Sequence, residues 1–248
     1  MCTLNKKRII EIVDCNYINA SVLYYFGIEF YNYSEQTLEE ACAEKGLKLE
    51  TVVRRLELNT HCEEIVAINE FPIDLVIEYL KHTHYIFIKQ KLPYIGKLIE
   101  NLNTDESKLA QITKDLKFVF PLFVEDFIHH IYQEEDTLFS YILNLDSFLK
   151  GRGNLSKMYF EMERHGLSQY AAEHKEHDDE MLGIRQITHQ YSINSDTPLH
   201  IRVVYAELES LEKELKTHAK IENEILFLKA LALEKDVLDK FHQKIQYN

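Results

Sequence analysis

Loop-forming residues are scarce in this sequence. Seven Gly and four Pro in 248 residues are too few for a β-sandwich or a barrel of short strands, whose many turns consume both. Long helices are the remaining default. Cysteine is also scarce: Cys2, Cys15, Cys42 and Cys62 all lie in the first quarter, and no two form a C-x-x-C pair, which argues against a zinc ribbon or a disulfide framework. Positive charge is in deficit, with 28 Lys and Arg against 41 Asp and Glu and a formal net charge of −13. Nucleic-acid backbones and anionic membrane surfaces attract Lys and Arg clusters, so neither is expected as a partner. No segment approaches eighteen consecutive apolar residues, and Met1 to Ile10, with Lys6, Lys7 and Arg8, holds no uninterrupted apolar stretch. The expected location is the cytoplasm.

With 46% hydrophobic residues the chain can bury a sizeable core. Residues 1 to about 60 read as several short helices. One shows both ends: Thr37-Leu-Glu-Glu40 is a capping box and Gly46 a C-terminal stop. A second covers about 50 to 58. Glu70-Phe71-Pro72 looks like a helix entry, which puts a boundary between a small helical domain, 1–62, and a larger one, 70–248. Four long amphipathic segments follow, at about 72–102, 106–144, 155–191 and 198–234. They are separated by Asn101 to Asp105, Lys150 to Asn154 and Ser192 to Pro198. Pro93 and Pro121 fall inside the first two and predict kinks. The expected fold is all-α, an up-down-up-down four-helix bundle preceded by the small domain.

Eleven of twelve histidines lie beyond residue 80, so metal chemistry is expected in the larger part. His130 and Glu134 are four residues apart, on one helix face and roughly 6 Å along the axis; His218 and Glu222 repeat the spacing. That spacing alone is a weak signal, because an exposed His and Glu at i,i+4 is usually a solvated pair. Position on the helix strengthens it. Steps of three and four from His130 meet Phe123, Phe127, Leu138 and Tyr141; from His218 they meet Leu208, Leu211, Leu215, Ile225 and Leu226. Both pairs therefore face the core, where a carboxylate needs a charge partner or a metal. His84 lies on a stripe with Ile77, Leu80, Phe87, Ile88 and Ile95, and His177 on one with Tyr170, Met181 and Ile184. One inward His per helix and two carboxylates able to bridge suit two iron, manganese or zinc ions. His82, His129, His165, His174, His189, His200 and His242 read as surface residues. The rest of the run Glu134 to Asp136 reads as a solvated face, with Glu135 on the solvent side.

The chain resembles the Repair of Iron Centres family, in which a small N-terminal domain precedes a hemerythrin-like di-iron domain and which is associated with restoring iron–sulfur clusters after nitrosative or oxidative stress. The residues that carry the resemblance are Phe26-Gly-Ile-Glu29, Thr37 to Cys42, Gly46-Leu47, Leu92-Pro93, His130-x-x-x-Glu134, Glu176-His177 and His218-x-x-x-Glu222. It implies a non-haem, carboxylate-bridged pair of Fe ions. His130, His177 and His218 would be terminal ligands, Glu134 and Glu222 bridges, and a His of the first long helix would complete the set. Asp126 and Glu176 match carboxylates near the site in relatives. A gapless alignment puts the first-helix ligand on Tyr85, whereas the apolar stripe selects His84; a π-bulge near Pro93 would absorb the offset. Two departures stand out. Relatives carry a Cys-Cys-Gly-Gly run where this chain has Phe30-Tyr31-Asn32-Tyr33-Ser34, and the stretch between His130 and His177 is longer here.

The resemblance implies a stress-response protein that donates iron to damaged iron–sulfur proteins or apo-cluster recipients. The alternative is a hemerythrin-like binder or sensor of dioxygen (O2) or nitric oxide (NO). Whether the protein is an enzyme stays open, and a homodimer is one of the assemblies left open.

Overall fold

The computed structural model describes residues 4–58, 68–103, 107–164, 166–167, 170 and 179–246. The described residues are helical, joined by turns, with one isolated bridge between Arg8 and Thr37. In the N-terminal part these are α1 (Ile9–Cys15), α2 (Ile18–Tyr25), α3 (Leu38–Glu44) and α4 (Leu49–Leu58). The capping box at α3 is formed as the sequence implies. The Glu40 backbone N–H donates to Thr37 Oγ1 at 3.3 Å, and the Thr37 N–H donates to Glu40 Oε2 at 2.8 Å, so the side chains take up helix-end donors that have no partner within the helix. Gly46 stops the helix at φ +65°, a conformation that costs glycine little.

The long segments begin with α5 (Ile73–Ile86), which Pro72 starts, and run on through a π-helical turn at Phe87–Lys91 into α6 (Leu92–Glu100). The second is α7 (Ser107–Gln133), a π turn at Glu134–Phe139, and α8 (Ser140–Leu149). The third includes α9 (Leu155–Arg164) and α10 (Leu182–Ile187). The fourth is α11 (Leu199–Ile221), a π turn at Glu222–Leu226, and α12 (Phe227–Gln246). Pro121 is accommodated inside α7. Pro93 has no N–H to offer the preceding turn, and the π turn sits immediately before it. The Leu92 N–H there donates back to Phe87 O. No helix among the described residues is long and apolar enough to cross a membrane.

The chain divides into two compact units. One gathers Met1–Ile65, Pro93–Lys117 and Arg185–Leu211. Its core holds Ile9, Ile12, Val13, Leu23, Ile28 and Leu38, each essentially inaccessible to solvent. The Tyr24 ring lies 4.7 Å from the buried ring of Tyr94, and Arg202 pairs with Asp14 at 2.8 Å. His200, expected at the surface, is largely covered. Its ring stacks on Tyr31 at 4.8 Å and 3°, and Nε2 donates to Leu98 O at 3.0 Å. Helical periodicity carried no sign of this, because Tyr31 lies far away in sequence.

The other unit gathers Val66–Leu92, Phe118–Ile184 and Glu212–Asn248. Its core joins Val76, Ile77 and Leu80 of α5 to Phe139, Ile142, Leu145 and Phe148 of the second segment and to Leu226, Phe227, Ala230 and Val237 of the fourth. Of these, Ile77, Leu80 and Leu226 lie on the apolar stripes read from the sequence.

Burial lowers the His200 pKa from 6.5 to about 4, against the opposing effect of the bond to Leu98. As pH falls below 6.5 the unfolded chain takes up a proton at this residue that the folded protein refuses until about pH 4, so the contribution to stability is lost across that window. Urea midpoints measured at pH 7 and pH 5 are expected to fall further in the wild type than in His200→Gln. Equal falls would show that His200 is not held neutral. Independently, Thr37→Ala is expected to cost about 1 kcal/mol, read from urea unfolding at pH 7.

Candidate metal centre

Four buried side chains converge inside the second unit: His84 from α5, Glu134 at the end of α7, and His218 and Glu222 at the end of α11. Each offers one ligand-type atom, and these atoms lie within 4.8 Å of one another. His84 Nε2 stands 2.9 Å from His218 Nε2 and 3.6 Å from Glu134 Oε2. His218 Nε2 stands 3.1 Å from Glu222 Oε1. The other oxygen of Glu134, Oε1, faces His130 Nε2 at 3.3 Å, so one carboxylate addresses two imidazoles through its two oxygens.

Local backbone geometry sets this arrangement. The two sequence-adjacent His/Glu pairs obey the i,i+4 spacing of an α-helix, and both carboxylates occupy the first position of a π turn. His84 stands three residues ahead of the remaining one. A π turn accommodates an extra residue, and such turns occur preferentially at functional sites. Aromatic rings close the surroundings: Phe139 lies parallel to His84 at 5.7 Å, and Phe87 meets His218 edge-on at 5.7 Å. A cavity of about 60 Å³ adjoins the cluster, lined also by His130, Phe127, Ile131, Met181, Leu215 and Ala219, and by the acidic residues Asp179, Glu180 and Glu212. Lys216 also lines it and pairs with Glu212.

The donor set fits a divalent transition-metal ion. Burial is the largest influence on His84 and pushes its pKa down; the neighbouring His218 acts in the same direction, while the bond to Glu135 opposes both. A neutral imidazole is the form that binds metal. Buried carboxylates beside imidazoles are groups that a cation stabilises. Imidazole with carboxylate suits iron, manganese or zinc. His84, Glu134, His218 and Glu222 would hold the ion or ions, with His130 reaching them through Glu134.

Of the six side chains read as ligands from sequence, four form the cluster, and His130 borders it with its side chain 29% exposed. His177 and Glu176 lie outside the described residues, as do His165 and His174. Asp126 is exposed on α7 and is not a member of the cluster. On the first segment, His84 is 1% exposed whereas Tyr85 is 56% exposed, so the imidazole enters the site and the phenol does not. The expected π-bulge is present, beginning at Phe87. One expectation fails: Glu135 does not simply face solvent, since its Oε1 lies 2.8 Å from His84 Nδ1. Counting in steps of three and four assumes 3.6 residues per turn, and the π turn that contains Glu135 departs from that period.

The described residues form an all-helical protein whose core brings together two imidazoles and two carboxylates that could hold a metal ion. The chain is 22% identical over 230 residues to the iron–sulfur cluster repair protein ScdA of Staphylococcus haemolyticus (strain JCSC1435), a match that covers 91% of this chain and 98% of the relative. That similarity supports the Repair of Iron Centres resemblance drawn from the motifs. No protein-family model matches the chain.

Metal analysis of anaerobically purified variants checks the site. Replacing His84, Glu134, His218 or Glu222 by Ala is expected to reduce bound metal by at least about tenfold, the lower end of what even an outer-sphere group contributes. Tyr85→Phe is expected to leave it unchanged. Metal loss in Tyr85→Phe with retention in His84→Ala would reverse the assignment.

Proposed function

We propose that this chain is a di-iron protein that serves iron–sulfur cluster repair in the cytoplasm, under nitrosative or oxidative stress, by donating iron to damaged clusters. The observation that carries the reading is Glu134, whose two oxygens address His84 and His130 separately. That disposition suits a carboxylate shared between two ions, with Glu222 beside His218 as the second bridge. The similarity to a protein named for iron–sulfur cluster repair, over nearly the full length of both chains, selects iron among the metals that the donor set suits. His177, matched to a terminal ligand by its motif, completes the proposed set of His84, His130, Glu134, His177, His218 and Glu222.

In this reading iron is cargo, and the chain's own residues perform three tasks. Neutral imidazoles and carboxylates bind ferrous ions without thiolates. Phe87, Phe127 and Phe139 exclude bulk water on the core side. The cavity supplies the way out, past the paired Glu212 and Lys216 and the carboxylates of Asp179 and Glu180. The second reading, a binder or sensor of dioxygen or nitric oxide, draws on the same cavity, whose volume of about 60 Å³ exceeds the minimum that one water needs and so offers room for a diatomic ligand.

Anaerobically purified protein is expected to hold two irons per chain and to transfer them to an apo-ferredoxin supplied with sulfide, seen as the growth of the ferredoxin's visible absorption. Glu222→Ala protein is expected to transfer none. Reversible binding of nitric oxide or dioxygen with all iron retained, and no cluster formed, would favour the second reading. Iron content near zero after iron-replete expression would remove both.

A further inference from the structure

Beyond the ligand set, the structure assigns Glu135 a positioning role: it holds the His84 ring with its proton on Nδ1, so that the Nε2 lone pair points into the cluster. This inference rests on the metal-centre reading above. His84 is 1% exposed and has two differently occupied edges. On one, Nε2 faces His218 Nε2 at 2.9 Å and Glu134 Oε2 at 3.6 Å. On the other, Nδ1 lies 2.8 Å from Glu135 Oε1. A carboxylate only accepts, so a hydrogen bond at this distance requires Nδ1 to carry the proton. In a neutral imidazole that leaves Nε2 without one. With the acceptor removed, either nitrogen could carry the proton, and a proton on Nε2 would stand between His84 and any cation held by Glu134 and His218.

The backbone explains how two consecutive residues serve opposite edges of one ring. Side chains at i and i+1 on an α-helix diverge by about 100°. Glu134 and Glu135 open the π turn Glu134–Phe139, and both reach His84. Phe139, which closes the same turn, lies parallel to the imidazole. One turn thus supplies a group facing Nε2, the acceptor for Nδ1 and a wall against the ring face. The Glu135 side chain is 28% exposed while that of Glu134 is 8% exposed. Glu135 therefore stands toward the outside of the site, where a carboxylate orients a ligand without occupying a coordination position.

Metal-free protein labelled with ¹⁵N-histidine gives the first readout, with His84→Gln identifying the resonance. Long-range ¹H–¹⁵N correlations are expected to show the His84 proton on Nδ1 in the wild type and in Glu135→Gln, whose amide oxygen still accepts. They are expected to show loss of that preference in Glu135→Ala. Titration with Co²⁺, followed by its visible absorption, gives the second: Glu135→Ala is expected to bind about 10- to 100-fold more weakly, and Glu135→Gln by a smaller factor. Thermal midpoints of the metal-free proteins separate positioning from folding, because a purely structural Glu135 would move the midpoint and leave tautomer and affinity alone. A wild-type His84 protonated on Nε2 overturns the proposal even if Glu135→Ala fails to fold. Equal Co²⁺ affinity in wild type and Glu135→Ala overturns it while sparing the metal centre. No Co²⁺ binding by the wild type overturns the metal reading and this proposal with it.

Discussion

Two carboxylates in an apolar helical core are the constraint on which the rest of the second unit depends. Glu134 and Glu222 are 7% and 2% exposed, and an ionised carboxylate at such depth is tolerated only where hydrogen bonds or positive charge replace the lost water. Around them the helices place His84, His130 and His218 within 3.6 Å of a carboxylate oxygen. Aromatic rings seal the assembly on the core side. These groups form a donor set that could hold a metal ion.

The π turns are the means by which straight, closely packed helices deliver such a set. An α-helix repeats every 3.6 residues, which keeps a stripe on one face but fixes the angle between neighbours. At Glu134 and at Glu222 the helix widens where the carboxylate begins the turn, and on the first long segment it widens three residues after His84. The widening ahead of Pro93 also reconciles two numberings of that helix. A gapless count from Leu92-Pro93 lands on Tyr85, yet the inserted residue leaves Tyr85 at the surface and turns His84 inward.

The first unit uses aromatic packing where the related family has thiols. At the stretch matching the Cys-Cys-Gly-Gly run, Phe30 meets His200 edge-on at 5.3 Å and Tyr31 stacks against it. Burial raises the Tyr31 hydroxyl pKa well above its usual value. These positions pack against a histidine here. The Cys42 thiol is buried, which pushes its pKa up and disfavours the reactive thiolate.

Much of this was legible in the sequence because helical periodicity is a local property. The scarcity of Gly and Pro excluded β architectures, Thr37, Glu40 and Gly46 marked helix ends, and the apolar stripes put His84, Glu134, His218 and Glu222 on inward faces. Burial follows from which residues share a face, and that needs no knowledge of the partner helix. What periodicity could not reach were contacts between segments far apart in the chain, such as Arg202 with Asp14, His200 under Tyr31, or the pairing of Pro93–Lys117 and Arg185–Leu211 with the N-terminal residues in one unit. Glu135 shows the same limit at short range. Its reach to His84 depends on a π turn in its own helix and on the approach of α5, and only the folded chain brings the two together.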